Sequence, residues 1–340
     1  MPIVGCPTMT PYTRVYDLAL AYRFSRALYV AVQLRIPDLL KDGPSSVQTL
    51  ASATRTEPTV LFQLLSALTT VGVFAQITPG EFSLTPLSET LRSDIPNSLR
   101  ANVLLLIDDT HWDVYKELGY SIRTGQPAFD RIFGETYWEY LTERPQAALL
   151  VDQAMAARSR SVGPAIAEAY DFSQFQTIID VGGGTGALLA AILKRNPESC
   201  GILFDLEHVI QHALATRTVP ENRTKLITGN FFDAIPSGAD VYVLKNIIHD
   251  WPDRKARHIL ANCRTAISGT GKLLLIETLL APQMRPDYLA TASDLEMLVM
   301  QSGRERTAED FSGLLMDAHF RLNRVIPTTT PLSIIEASPA

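Results

Sequence analysis

At 340 residues the chain is longer than one minimal domain needs, and the usual scale of roughly 100–200 residues per domain points to two. Apolar types make up 46% and charged types 19%, a globular balance. With 30 Lys and Arg against 36 Asp and Glu the net charge is −6, and no basic run supplies the positive field that nucleic acid binding requires. No apolar stretch approaches the ~18–20 residues that span a bilayer, and Met1–Pro7 carries no basic-then-apolar leader pattern. Cys6, Cys200 and Cys263 are too far apart for a metal set, and the expectation is a cytoplasmic protein.

In chain order, Tyr16–Leu34 carries Leu18, Ala21, Tyr22, Leu28, Ala31 and Val32 at helical spacing, which predicts a helix ending near Ile36-Pro37. Val47–Ala53 reads as a short second helix. A third opens at Pro58, puts Val60, Leu61, Leu64, Leu65 and Leu68 on one stripe, and closes near Gly72. Val73–Ala75 and Glu81–Leu84 flank a Pro79-Gly80 turn and predict a two-stranded wing. Helices plus a wing form a DNA-binding pattern, but Pro58–Val71 contains no Lys or Arg. Helix packing or subunit pairing fits that composition better.

Residues 100–170 read as helical, with aromatic and polar residues interleaved. Then the pattern changes. Thr177–Asp180, Gly201–Asp205, Lys225–Thr228, Val241–Leu244 and Lys272–Ile276 read as short buried strands, with helices at Ala187–Arg195 and Pro252–Ile267. Strands alternating with helices predict an α/β fold with a doubly wound parallel sheet.

The densest signal is Asp180-Val-Gly-Gly-Gly-Thr-Gly186, after a strand and before a helix, where glycines let the backbone approach a ligand. A dinucleotide site is the obvious competitor. A carboxylate at Asp180 suits a cationic ligand better than a pyrophosphate, and Asp205 ends the next strand where it can accept both ribose hydroxyls. Together they describe S-adenosylmethionine better than NAD. Gly229-Asn230-Phe231 follows a third strand, where an adenine ring fits.

Lys245-Asn-Ile-Ile-His249-Asp250-Trp251-Pro252-Asp253 lies at the carboxyl end of a strand and runs into a helix. Asp250 and Asp253 are placed to cap that helix. His249 precedes it, and Glu277 and Glu305 lie where they could converge on the imidazole. An imidazole held by carboxylates has a fixed tautomer and a raised proton affinity, as a general base needs. The other histidines, among them His208 and His212, read mostly as surface or packing residues.

With Asp180–Gly186, Phe204–Ile210, Leu244–Trp251, Ile276–Thr278 and Gly303–Thr307 in this order, the chain resembles the class I S-adenosylmethionine-dependent small-molecule O-methyltransferases of the caffeate, hydroxyindole and polyketide type. The resemblance implies an α/β fold with a Rossmann-like methyltransferase sheet and an N-terminal winged-helix dimerisation domain. It implies dimerisation over 1–98 and catalysis over 99–340, with a helical acceptor segment at 99–170 and the Rossmann-like core at 171–340. The partners it implies are a small aromatic acceptor and a second copy of the chain, with no nucleic acid and no membrane.

For the cofactor, the resemblance implies Ser159 and Asp180 with Gly182 and Gly184 at the methionine part, Asp205 at the ribose, Asn230 and Phe231 at the adenine, and Lys245 near the sulfonium. His249 would be the base, bracketed by Glu277 and Glu305. Acceptor contacts would come from His111, Trp112, Met155, Asp250, Met297 and Met300, with Phe129 and Tyr137 nearby. No metal is expected. The same scaffold could run a non-methylating cyclisation or decarboxylation on bound S-adenosylmethionine, and an NAD(P)-dependent oxidoreductase is the rival from outside the family. Three positions depart from the family pattern: Asn230 stands for a usual Asp, Glu207 for a common Pro, and Gln301-Ser302 for a small-Gly pair.

Overall fold

The computed structural model describes residues 10–280 and 287–340; Cys6 and the leader reading of Met1–Pro7 lie outside the described residues. Two compact units emerge, Met1–Trp112 and Asp113–Ala340.

In the first unit the helices start where the sequence supplies caps. Thr10 accepts the Thr13 N–H at the head of α1 (Pro11–Gln33). Arg35, at φ 60°, turns the chain into α2 (Ile36–Leu39). Ser46, in the two-residue β1 (Ser45–Ser46), caps α3 (Val47–Thr54), and Glu57 accepts the Val60 N–H at the head of α4 (Pro58–Thr70). The predicted wing forms as β2 (Phe74–Thr78) and β3 (Glu81–Leu84), an antiparallel pair in a three-stranded sheet of order β1-β3-β2. α5 (Pro86–Glu89) and α6 (Arg100–Leu106) follow.

Leu61, Leu65 and Leu68 of the α4 stripe join Ala31, Leu50 and Phe82 in the core. Val60 does not; it is 61% exposed. The α1 stripe is likewise buried only toward its end: Leu18 and Tyr22 are 64% and 51% exposed, against 1% for Val32.

α7 (Asp109–Lys116) runs across the division, and the second unit continues through α8 (Leu118–Thr124), α9 (Ala128–Phe133), α10 (Tyr137–Glu143) and the 25-residue α11 (Pro145–Ala169). The predicted strands follow as β4 (Thr177–Val181), β5 (Cys200–Asp205), β6 (Thr224–Thr228), β7 (Val241–Lys245) and β8 (Lys272–Thr278). Between them lie α12 (Ala187–Arg195), α13 (Glu207–Thr216) and α14 (Asp253–Ala266). Beyond the predicted elements come α15 (Tyr288–Met300), α16 (Ala308–Asp317) and the hairpin β9 (Phe320–Pro327) and β10 (Leu332–Pro339).

The seven strands lie in the order β6-β5-β4-β7-β8-β10-β9. The first five are parallel, and β10 and β9 extend the sheet antiparallel. Parallel strands covered on both faces need continuous apolar runs, as in the fully buried Ile178, Ile179, Val241–Leu244 and Leu273–Ile276. Strand order reverses on either side of β4, and at such a switch point the carboxyl ends of neighbouring strands open a crevice. Asp180, Asp205, Lys245 and Glu277 all lie at or within two residues of those ends.

Candidate active site

A cavity of about 500 Å³ opens at this switch point. Its floor is the glycine turn. Gly182, Gly184 and Gly186 have φ of 66°, 60° and 82°, in the left-handed region where a side chain is strained. A Cβ on Gly182 would lie 2.6 Å from Ile247 Cδ1, whereas one on Gly184 would meet no atom within 4 Å. Gly184 thus leaves an opening that a ligand can fill.

Asp180 is buried beside this turn, with Oδ2 unpartnered, and burial pushes its pKa up to about 6 against the pull of Lys245. Asp205 accepts the Gly184 N–H on Oδ2 at 2.8 Å and the Leu206 N–H on Oδ1 at 2.7 Å, and burial raises its pKa to about 7. Lys245 is lowered to about 8 by burial, with Arg158 adding to the effect. An orphaned buried carboxylate oxygen, a second carboxylate and an open glycine cradle fit a ligand that carries positive charge and hydroxyl donors.

Asn230, Phe231, Ser159 and Met155 also line the cavity. Asn230 Oδ1 accepts the Phe232 N–H at 2.9 Å, a local turn that leaves one lone pair for a ligand. Phe231 packs edge-on to Trp251, which in turn stacks on Trp138.

His249 lies in a short 3₁₀ turn between β7 and α14, buried with three carboxylates around its ring. Nδ1 is 2.9 Å from Glu305 Oε1 and 3.8 Å from Glu277 Oε2, and Nε2 is 3.3 Å from Asp250 Oδ1. Burial alone would lower the imidazole pKa; Glu277, Asp250 and Glu305 outweigh it and lift the value to about 9. Asp250 is pushed up to about 7 by burial, and Glu277 is raised by the same cause.

Two of the three carboxylates are anchored. Glu277 Oε1 accepts the N–H groups of Ile247 and Ile248, and Glu305 Oε1 accepts the Ser293 hydroxyl at 2.6 Å. Donor atoms of His249, Glu277 and Glu305 come within 4.8 Å of one another, a set that could also hold a cation.

Of the four expected acceptor residues in the second unit, two line the cavity and two do not. Met155 and Asp250 line the cavity. Met297 and Met300 are buried on α15, and Met300 packs with Phe129 and Tyr137 in an apolar cluster. His111 and Trp112 belong to the first unit, where His111 Nδ1 lies 2.8 Å from Asp108 Oδ1 and Trp112 packs on Tyr22. The expected caps of α14 are absent as well. Pro252 holds the N-cap position with no side-chain cap, Asp250 faces His249, and Asp253 instead pairs with Arg306 at 2.7 Å.

Several residues at the site went unnoticed in the sequence. Arg306, fully buried, donates to the carbonyls of Ile248 and Trp251 and so holds the His249 turn from behind. Gly303 lies so close that a Cβ would come within 2.1 Å of the His249 carbonyl oxygen. Thr185 lines the cavity with its hydroxyl buried and unpartnered. His208 also lines it, and His212 pairs with Asp152, so both have more to do than the surface or packing role expected of most of these histidines. The available signal was the spacing of Asp152, Met155 and Ser159, which places all three on one helical face.

Comparison with known proteins agrees with this geometry. Residues 16–94 match the O-methyltransferase dimerisation domain and residues 115–321 the O-methyltransferase domain. The chain is 39% identical to the phenazine O-methyltransferase PhzM of Lysobacter antibioticus, over 94% of this chain and 93% of that protein. It is 38% identical to the O-demethylpuromycin-O-methyltransferase of Streptomyces alboniger, over 96% and 89%. The crystal structure of LaPhzM superposes with a TM-score of 0.94 at 38% identity, covering 98% of this chain and all of that one.

Proposed function

The chain belongs to the S-adenosylmethionine-dependent O-methyltransferase family, and we propose that within it His249 removes the proton from a hydroxyl of a small aromatic metabolite as that oxygen is methylated. The enzyme acts on small specialised metabolites; a phenolic or polyketide-like ring is the acceptor best suited to the cavity. The observation that carries the base assignment is the carboxylate cage around a buried imidazole. Glu305 fixes Nδ1, which leaves Nε2, 3.3 Å from the cavity-lining Asp250, as the nitrogen to meet the acceptor.

S-adenosylmethionine supplies an activated methyl group when bound. The protein's part is proton management and placement. A phenol resembles Tyr at pKa ≈ 10, so an ordinary His near 6.5 would take its proton about 5 kcal/mol uphill. At about 9, His249 faces a gap of about 1.4 kcal/mol. The counter-effect is population: at neutral pH only about one imidazole in a hundred is free to accept a proton. Activity therefore rises with pH toward about 9. General-base help of this kind contributes about 10²–10⁴-fold.

Asp180 and Asp205 form the methionine and ribose ends of the cofactor site, with Gly182, Gly184 and Ser159 near the methionine part, Asn230 and Phe231 at the adenine, and Lys245 beside the sulfonium. Met155 and Asp250 face the acceptor. Residues 1–98 pair two copies of the chain, and 99–340 carry the transfer. The scheme uses no metal: Glu277 and Glu305 serve it by holding the Ile247–His249 turn and the imidazole through Oε1, while Oε2 of each is buried without a partner.

The cofactor side is tested by calorimetry with S-adenosylhomocysteine between pH 5 and 8. The ligand's ammonium group and ribose hydroxyls are held best by ionised carboxylates, and these two carry pKa values of about 6 and 7, so affinity falls as the pH drops through that range. Affinity that stays flat with pH would contradict the carboxylate assignment.

A further inference from the structure

One polar pair at the cavity is not used by the proton-transfer scheme. Asp152 lies on α11 in the stripe shared with Met155 and Ser159, and it lines the cavity. Its Oδ2 is hydrogen-bonded to Nδ1 of His212 on α13. His208, one turn earlier on α13, lines the same cavity, and α13 begins two residues after Asp205. The pair therefore ties the α11 wall to the α13 wall beside Asp205. Asp152 keeps Oδ1 for a ligand, because His212 engages only Oδ2.

Two features call for a donor between Asp152 and Asp205. Both carboxylates face one cavity, close enough that Asp152 repels charge on Asp205. Asp205 already uses a lone pair on each oxygen, for Gly184 and Leu206. A vicinal diol supplies two hydroxyl donors that would relieve the repulsion and share out the remaining lone pairs.

We propose that Asp152, oriented by His212, is a second carboxylate for the ribose of the cofactor, so that the diol is held from α11 as well as from β5. This rests on the proposed seating of an adenosyl ligand at Asp205. His212 is a positioning residue that acts through Asp152; His208 and Asp205 are the other titratable groups facing the pair.

The experiment crosses residue with ligand. Affinities for S-adenosylhomocysteine and its 2′,3′-dideoxy analogue are measured by calorimetry in the wild type, Asp152→Asn and His212→Gln. The proposal expects Asp152→Asn to weaken S-adenosylhomocysteine about tenfold, the scale of a hydrogen bond to a charged group, while the dideoxy analogue changes less than about twofold. His212→Gln should show a smaller loss with the same ligand dependence, and should raise KM for S-adenosylmethionine while kcat stays level.

Equal losses for both ligands, or none, overturn the role of Asp152 alone. A wild type that binds neither ligand overturns the seating at Asp205, and the proposal with it. Binding of the dideoxy analogue also reports that each variant is folded. If Asp152→Asn is misfolded, the His212→Gln comparison decides.

Discussion

His249 shows how much a single side chain draws from its neighbours. Three carboxylates within 4 Å overcome the desolvation of a buried imidazole and carry it to about 9. A folded value above the unfolded 6.5 means that the imidazolium stabilises the fold fully below about 6.5 and that this contribution is lost as the pH rises through about 9. NMR titration of the ring in the ligand-free protein should give a midpoint near 9, and Glu305→Gln should move it downward. A midpoint near 6.5 in both proteins would show that the carboxylates do not act on the ring. These residues were legible in the sequence because each lies at a strand end or just before a helix, where an α/β sheet collects its chemistry. Met300, Phe129 and Tyr137, packed together, and the buried Met297 were not: helical spacing reports a buried face without saying whether that face meets a ligand or the core.

At the scale of elements, the turn from Gln301 to Thr307 places Glu305 against His249, and two adjacent residues in it behave oppositely. Ser302 holds φ at 56°, where glycine is favoured, in the position at which the family pattern has Gly. Gly303 has no room for a Cβ against the His249 carbonyl. Ser302→Gly should raise stability by about 0.5–1 kcal/mol. Gly303→Ala should cost about 2 kcal/mol and depress turnover, because the turn carrying Glu305 must back away from His249. Thermal melts and initial rates read both, and a Gly303→Ala protein of wild-type stability and rate would contradict this reading of the turn. The five parallel strands were legible from short β-branched and leucine-rich runs. The capping role expected of Asp250 and Asp253 was not realised, because His249 and Arg306 offer these carboxylates full or partial charges, stronger partners than a helix N-terminus.

Across the whole molecule, the match of residues 16–94 to an O-methyltransferase dimerisation domain makes a homodimer the expected state. α1 leaves Tyr12, Val15, Tyr16 and Leu18 more than half exposed, an apolar strip that a lone subunit would show to water. Sedimentation should therefore give a dimer, and Val15→Glu with Leu18→Glu should shift it toward monomer; a wild-type monomer at micromolar concentration would count against pairing through this domain. The sequence showed the wing and its lack of basic charge. It could not show that half of the α1 stripe faces outward, since an apolar stripe reads the same whether a core or a second subunit covers it. Among the described residues no helix is long and apolar enough to cross a membrane.

In the proposed mechanism a buried imidazole takes the acceptor's proton in a site that holds an adenosyl cofactor. Its most direct test compares wild type and His249→Ala, with EDTA present throughout, for S-adenosylhomocysteine affinity and for methyl transfer to a panel of hydroxylated phenazines and naphthoates. The expected result is unchanged affinity with a loss of about 10²-fold or more in kcat. Turnover in His249→Ala within about threefold of wild type at neutral pH, or a wild type that needs a metal to turn over, would contradict it.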